Sequence, residues 1–280
     1  MFIQTAPERL AVRNVQIDML RCGSGPKLLY LHASDGVDSS DEFIALLSKR
    51  FEVIAPSHPG FAGSELPGSY RSVADLAYFY LDLIEALRLE DCVLVGSSFG
   101  GWIAAEIAIR CPSAISSLVL AAPLGLALPE RDAPGITDLL SIPIARLPET
   151  LFSDREIGMK AFGGLKFSDM TEDAVTRFVR NRESLALFGW SPMFANPSLV
   201  NWLHRIRTNT LLIWGDEDKV LPTPLRTAYA SRIPNTREHV IRGAGHYLHI
   251  ERPLEFVNAI VEFAGTPAGN DTHQCNGRLQ

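Results

Sequence analysis

The sequence predicts an α/β fold: a mostly parallel central sheet with helices on both faces, interrupted by an all-helical insertion. Three observations predict it. Compact apolar runs recur at Lys27–His32, Phe51–Pro56, Val93–Val95, Leu118–Ala122 and Thr210–Gly215, the signature of strands buried on both faces. Between the first of them lie stretches whose apolar residues step by three and four: Phe43, Leu46 and Leu47, then Val73, Leu76, Tyr80, Leu83 and Leu87. From about Leu124 to Arg207 strand-like runs stop, while helical spacing continues.

Taken in order, residues 8–20 form two short, partly alternating runs that suit an antiparallel hairpin opening the sheet. Cys22-Gly23-Ser24-Gly25-Pro26 is a turn. The strand ending at His32 leads into the small-residue loop Ala33-Ser34-Asp35-Gly36, and Ser39 with Glu42 reads as a capping box before a helix. The strand ending at Pro56 leads into the loop Pro59–Ser64. A helix is expected from about Ser72 to Arg88 and another from Phe99 to Arg110, stopped by Pro112. Crossover helices of this kind keep the strands parallel, and chemistry-bearing loops in such sheets gather beyond the strands' carboxyl ends. The insertion should hold helices near residues 136–146, 154–162 and 172–188, with Met159, Phe162, Phe167, Met170, Phe178, Phe188, Trp190, Met193 and Phe194 supplying an apolar interior. A helix over 225–233, a strand over 238–241 and a helix over 253–263 close the fold. Residues 1–123 and 208–265 are thus expected to form the core, 124–207 a cap, and 266–280, rich in Gly, Asn, Thr and Gln, a mobile tail.

Composition narrows the function classes. A formal net charge of −6 with no basic run argues against a nucleic-acid surface. Residues 111–129 carry no charge, but Pro112, Ser113, Ser116, Ser117, Pro123 and Gly125 break them up, so a buried strand rather than a membrane span is expected. The first residues lack the basic and apolar regions of a secretory signal, and Cys22, Cys92, Cys111 and Cys275 lack metal-type spacing. The expectation is a cytoplasmic protein with reduced thiols, no metal, no cofactor, and no nucleic-acid or membrane partner.

The chemistry-bearing stretch is Val95-Gly96-Ser97-Ser98-Phe99-Gly100, a Gly-x-Ser-x-Gly pattern between a strand and a helix. Such a turn exposes the serine Oγ above the sheet edge and points a helix N-terminus at it, where negative charge would be stabilised. A side chain at 96 or 100 would crowd the adjoining strand and helix.

With the stretches Gly215-Asp216-Glu217-Asp218 through Pro222 and Gly245-His246 through Glu251-Arg252-Pro253, the chain resembles an α/β-hydrolase over about residues 28–263. That resemblance implies a serine hydrolase with nucleophile Ser98, acid Asp218 (Asp216 being the alternative) and base His246, in the family's chain order. It also implies an oxyanion hole from the backbone N–H groups of Phe99 and Ser34. His32, Ala33, Trp190, Phe194 and Tyr247 are candidate substrate contacts. His249 is expected to pack against or cap the next helix, and His58 and His204 to have no catalytic role. The family's His-Gly is here His32-Ala33, and its Asp-x-x-Gly-x-Gly-x-Ser is here Ser57 to Ser64 with Ser57 and Ala62 substituted.

The serine nucleophile sets the chain apart from the dehalogenase and epoxide-hydrolase branches, which attack with aspartate. The leading expectation is hydrolysis of small or medium carboxylic esters, including lactones, through an acyl-enzyme. The alternative is a carbon–carbon bond hydrolase for ring-fission diketones. That branch resembles Gly-Asn-Ser at the elbow, arginine beside the acid and tryptophan after the histidine, where this chain has Ser97, Glu217 with Lys219, and Tyr247. A non-enzymatic ligand receptor on the same scaffold is a third reading. The oligomeric state is open.

Overall fold

The computed structural model describes residues 8–128, 135–163, 168 and 170–265. The expected tail at 266–280 and the expected cap residue Phe167 lie outside them. Strands β1 (Glu8–Val12) and β2 (Val15–Gly23) form the opening hairpin, followed by β3 (Lys27–Leu31), helix α1 (Asp41–Leu47), β4 (Glu52–Pro56), α2 (Val73–Ala86), β5 (Cys92–Ser97), α3 (Phe99–Ala108) and β6 (Ile115–Ala121). The insertion holds β7 (Gly125–Leu126), α4 (Leu147–Leu151), α5 (Arg155–Gly158), α6 (Glu172–Gly189), β8 (Ala195–Asn196) and α7 (Leu199–Trp202). The chain then returns through β9 (Asn209–Gly215), α8 (Thr223–Arg232), β10 (Thr236–Ile241), α9 (Leu248–Glu251) and α10 (Pro253–Ala264).

The main sheet runs β1-β2-β4-β3-β5-β6-β9-β10, antiparallel where β2 meets β1 and β4 and parallel elsewhere. Strand alternation divides the core in two. Leu29, Leu31, Leu94, Leu118 and Leu120 pack with α2, α3 and α8 through Leu76, Tyr80, Ile103 and Tyr229. Leu28, Tyr30, Val93, Val95 and Val119 pack with α1 and α10 through Phe43, Leu47, Phe256 and Ile260. From β3 the chain moves outward to β4, then returns to the other side of β3 for β5. The order therefore reverses between β3 and β5, where the crevice of a doubly wound sheet opens. The loops after these two strands carry Ser34 and Ser98.

Some local expectations change. Ser39 does not cap α1, since its Oγ faces the Asp35 carbonyl and the helix begins only at Asp41 with no side-chain cap. The capping box is instead Ser72 with Asp75, at the start of α2. Residues 136–143 are not helical. Helical turns begin at Ile144, after Pro143, while Thr137 uses its N–H and hydroxyl on the carbonyls of Val220 and Lys219. The insertion also contains a two-residue parallel ladder, β7 with β8, too short for any periodicity to announce. Among the described residues no helix is long and apolar enough to cross a membrane.

Candidate active site

Ser98 stands at the junction of β5 and α3 with φ 51° and ψ −110°, a conformation strained for a residue with a side chain. Its neighbours hold it there: the N–H donates to the Ala121 carbonyl at 2.8 Å, and its carbonyl accepts from Trp102 and Leu124, both at 3.1 Å. Only glycine fits on either side. A Cβ at Gly96 would lie 2.4 Å from the Gly100 carbonyl oxygen, and one at Gly100 would lie 2.1 Å from that of Leu31. Phe99 begins α3, so its N–H has no intrahelical acceptor, and it has no backbone partner among the described residues.

Three side chains remote in sequence meet here. Ser98 Oγ is 2.8 Å from His246 Nε2, and His246 Nδ1 is 2.9 Å from Asp218 Oδ2. Asp218 Oδ1 accepts from the N–H groups of Val220 (2.8 Å) and Leu221 (3.0 Å), which keeps it an acceptor and fixes its orientation. Nδ1 of His246 therefore carries the proton, leaving Nε2 to accept from the serine hydroxyl. The imidazole and the carboxylate are essentially withdrawn from solvent, at 0% and 2% exposure. Asp216, the alternative acid, accepts instead from the Gly243 N–H at 2.6 Å and braces the histidine loop.

Both loops are fastened to the insertion. The N–H groups of His246 and Tyr247 donate to the Leu151 carbonyl at 2.9 and 3.1 Å. Buried Glu251 accepts from Gly245 N–H and from Asp154 N–H, each at 2.6 Å. Beside the acid, Glu217 accepts from Ser153, while Lys219 donates to the carbonyls of Glu149 and Phe152. Across the crevice, Asn181 of α6 donates to the Asp35 carbonyl and accepts from the Ala62 N–H, both at 2.8 Å. Ser184 donates to the Gly60 carbonyl at 2.7 Å. Glu251 was visible in sequence only as part of a family motif, and Asn181 and Asp35 had no signal beyond their polarity.

A cavity of about 520 Å³ opens beside these loops. Ser34 and Tyr247 line it, their hydroxyls 2.7 Å apart. Burial, with the charge of Asp35 adding to it, pushes the Tyr247 phenol well above its ordinary value, so it stays a neutral donor. Leu139, Leu147, Leu151, Phe162 and Leu185 form the apolar wall. The other proposed substrate contacts are placed elsewhere. Trp190 is 62% exposed, and Phe194 is buried where β8 begins, its carbonyl accepting from Gly125. Their aromatic character identified apolar positions but carried no information on which way each faces. Ala33 is buried outside the cavity lining.

His32 and His58 are a buried stacked pair, ring centroids 3.7 Å apart. His32 Nδ1 donates to the Ala33 carbonyl at 2.6 Å, and Nε2 accepts from the His58 N–H at 3.1 Å. Burial lowers the His32 value to about 4, and burial and the neighbouring His32 hold His58 well below the usual range. Both imidazoles are buried, and their bonds tie the loop after β3 to that after β4. His204 is exposed, and His249 is buried with Nε2 3.4 Å from Asp35 Oδ2, a side-chain contact to the loop after β3 rather than a helix cap. The loop from Ser57 to Ser64 is held internally by Ser64 Oγ on the Ser57 carbonyl at 2.9 Å.

The comparisons agree with this architecture. The 2-hydroxymuconate semialdehyde hydrolase of Pseudomonas putida is 28% identical over 257 residues, covering 86% of this chain and 88% of that protein. The poly(3-hydroxyalkanoate) depolymerase of Ectopseudomonas oleovorans is 26% identical over 280 residues, covering 92% and 93%. The meta-cleavage product hydrolase CumD of Pseudomonas fluorescens IP01, in a mutant form complexed with acetates, shares the fold with a TM-score of 0.73 at 22% identity, over 92% of this chain and 97% of that one. Residues 28–260 match the alpha/beta hydrolase family, and the chain belongs to that family of hydrolases.

Proposed function

We propose that the protein hydrolyses small or medium carboxylic esters, lactones included, through an acyl-enzyme on Ser98. The observation that carries this reading is the unbroken hydrogen-bonded chain from Ser98 Oγ through His246 to Asp218. A serine hydroxyl is too weakly acidic to attack unaided. His246 Nε2 takes its proton as Oγ adds to the ester carbonyl, and Asp218 stabilises the imidazolium without taking the proton itself. The negative oxygen so formed is held by the N–H groups of Phe99 and Ser34, each such donor being worth about 2.7–4 kcal/mol. Collapse expels the alcohol, which leaves with the proton from His246. Water then repeats the sequence on the acyl-serine and releases the acid.

Residues 124–207 act as the cap over a core of 1–123 and 208–265, and the hydrogen bonds from α4 and α6 to the site loops support a cap fixed in place rather than swinging free. The depolymerase among the relatives, named for an ester polymer, is in keeping with ester chemistry. Ser98→Ala is expected to lose ~10⁴–10⁶ in turnover of a chromogenic ester, while activity near wild type would end the proposal.

A second reading, carbon–carbon bond hydrolysis, is favoured by the Pseudomonas putida relative, named as a semialdehyde hydrolase. The same three residues would serve it. A nitrophenyl ester panel run beside a vinylogous diketone separates the two: the ester reading expects the higher kcat/KM on an ester.

A further inference from the structure

One side chain of the insertion reaches both loops that border the crevice. Asn181 is buried on α6, where its Nδ2 donates to the Asp35 carbonyl and its Oδ1 accepts from the Ala62 N–H, each at 2.8 Å. An N–H can only donate and a backbone carbonyl only accept, so the amide has one workable orientation. Gly36 leaves room for it. Its φ is 101°, and a Cβ there would lie 2.6 Å from Asn181 Nδ2.

From Asn181 the hydrogen bonds continue in series towards the nucleophile. The Asp35 carbonyl and the Gly36 N–H belong to one planar peptide, and that N–H donates to the Ala33 carbonyl at 3.3 Å. The Ala33 carbonyl in turn shares a planar peptide with the Ser34 N–H. Neither peptide is cis, so in each the carbonyl and the N–H point in opposite directions. A donor on the carbonyl draws electron density towards oxygen and makes the N–H of the same peptide a stronger donor. At the far end, the Ser34 N–H has no backbone partner among the described residues, while the Ser34 hydroxyl is engaged by Tyr247 at 2.7 Å.

We propose that Asn181 is a positioning residue for the reaction: through these two peptides it fixes and polarises the Ser34 N–H that receives the developing oxyanion. This rests on the acyl-enzyme reading with Ser34 as second donor, and adds that the insertion helps to set the transition-state site. Simple anchoring of α6 does not need this series. Ser184, one turn along the helix, anchors it to the Gly60 carbonyl at 2.7 Å, in a loop that the series does not include. An interaction made with the oxyanion alone acts on kcat and leaves ground-state binding unchanged. Deleting an oxyanion donor lowers kcat about 10²–10³-fold, so a donor left in place but unsupported should cost less, about 10–100-fold.

The test compares Asn181→Asp with Ser184→Ala on a nitrophenyl ester, with rates expressed per active site counted by fluorophosphonate. Asn181→Asp keeps an acceptor for Ala62 but sets a carboxylate oxygen against the Asp35 carbonyl, which breaks the series at its first bond. Asn181→Ala, which removes both arms, takes its place if the aspartate variant fails to fold. The Asn181 variant is expected to lose about 10–100-fold in kcat, with KM within about threefold of wild type. A trifluoromethyl ketone, whose carbonyl takes up Ser98 Oγ and presents its own oxyanion to the same N–H groups, should bind more weakly by a similar factor. Ser184→Ala should stay within about threefold of wild type in all three measurements.

Wild-type kcat and ketone affinity in the Asn181 variant would overturn the proposal. So would an equal loss in Ser184→Ala, which would mark anchoring of the helix, or a rise in KM at unchanged kcat, which would mark contact with the substrate. The two readings fail differently. A wild-type enzyme that hydrolyses the ester and binds the ketone, matched by its Asn181→Asp variant, defeats the positioning role alone. A wild-type enzyme that does neither defeats the acyl-enzyme reading and the positioning role with it.

Discussion

Glu251→Ala is expected to cost about 3–5 kcal/mol of folding free energy, a large share of the roughly 5–15 kcal/mol typical of a folded chain. Glu251 is 3% exposed, and its carboxylate accepts two backbone N–H groups at 2.6 Å, those of Gly245 and Asp154. Bonds to a charged acceptor are each worth about 1.5–3 kcal/mol net, and their loss leaves both donors unpaired. The Gly245 N–H is buried and merits the upper half of that range, whereas that of Asp154 is part-buried and merits the lower. Glu251→Gln keeps one acceptor oxygen but sets an amide NH₂ against the other N–H, so a loss of about 2 kcal/mol is expected. Urea unfolding followed by tryptophan fluorescence measures both, with the midpoint moving at constant slope. Because Gly245 immediately precedes His246, kcat on an ester should fall more than KM rises. An alanine variant that unfolds at the wild-type midpoint would refute the assigned role of this carboxylate as the clasp between the His246 loop and the start of α5.

Other perturbations probe the remaining parts. Asp218→Asn should lower kcat ~10⁴-fold by losing the tautomer control of His246, while Asp216→Asn, which braces Gly243, should cost stability and leave kcat close to wild type. Gly100→Ala places a Cβ 2.1 Å and 2.5 Å from the Leu31 and His32 carbonyl oxygens, so about 2–4 kcal/mol of stability should be lost, read by urea denaturation, together with ester turnover. His32 has a folded pKa of about 4 against an ordinary 6.5, so below pH 6.5 the unfolded chain binds the extra proton and stability falls as pH falls towards 4. Between pH 7 and pH 5 this contributes about 2 kcal/mol, and a His32→Gln variant should lose that part of the pH dependence in denaturant titrations.

The central strands and the serine turn were legible because their physics is local. A run such as Leu28–Leu31 can be buried on both faces only within a sheet, and Gly96 and Gly100 admit no side chain. The pairing of Ser98 with residues 120 and 148 positions away is a tertiary fact, and periodicity alone could not have found it. Resemblance to a family points to it, and the distances supply its geometry. The insertion is less legible. Thr137 exchanges helical bonding for carbonyls on the acid loop, and Pro143 delays the next helical turn. Trp190 and Phe194 illustrate a further limit, for aromatic content does not reveal whether a ring faces solvent, the packed interior or a cavity. The buried carboxylates of Asp35 and Glu251 were hidden for the converse reason, since an acidic residue in a loop ordinarily means a solvated one.

The most direct test of an activated Ser98 is covalent labelling with a fluorophosphonate, read by intact mass and peptide mapping. One adduct per chain at Ser98 is expected in the wild type, with labelling lost in His246→Ala and strongly slowed in Asp218→Asn. No adduct, an adduct on another residue, or labelling that persists at the same rate without the imidazole would contradict it.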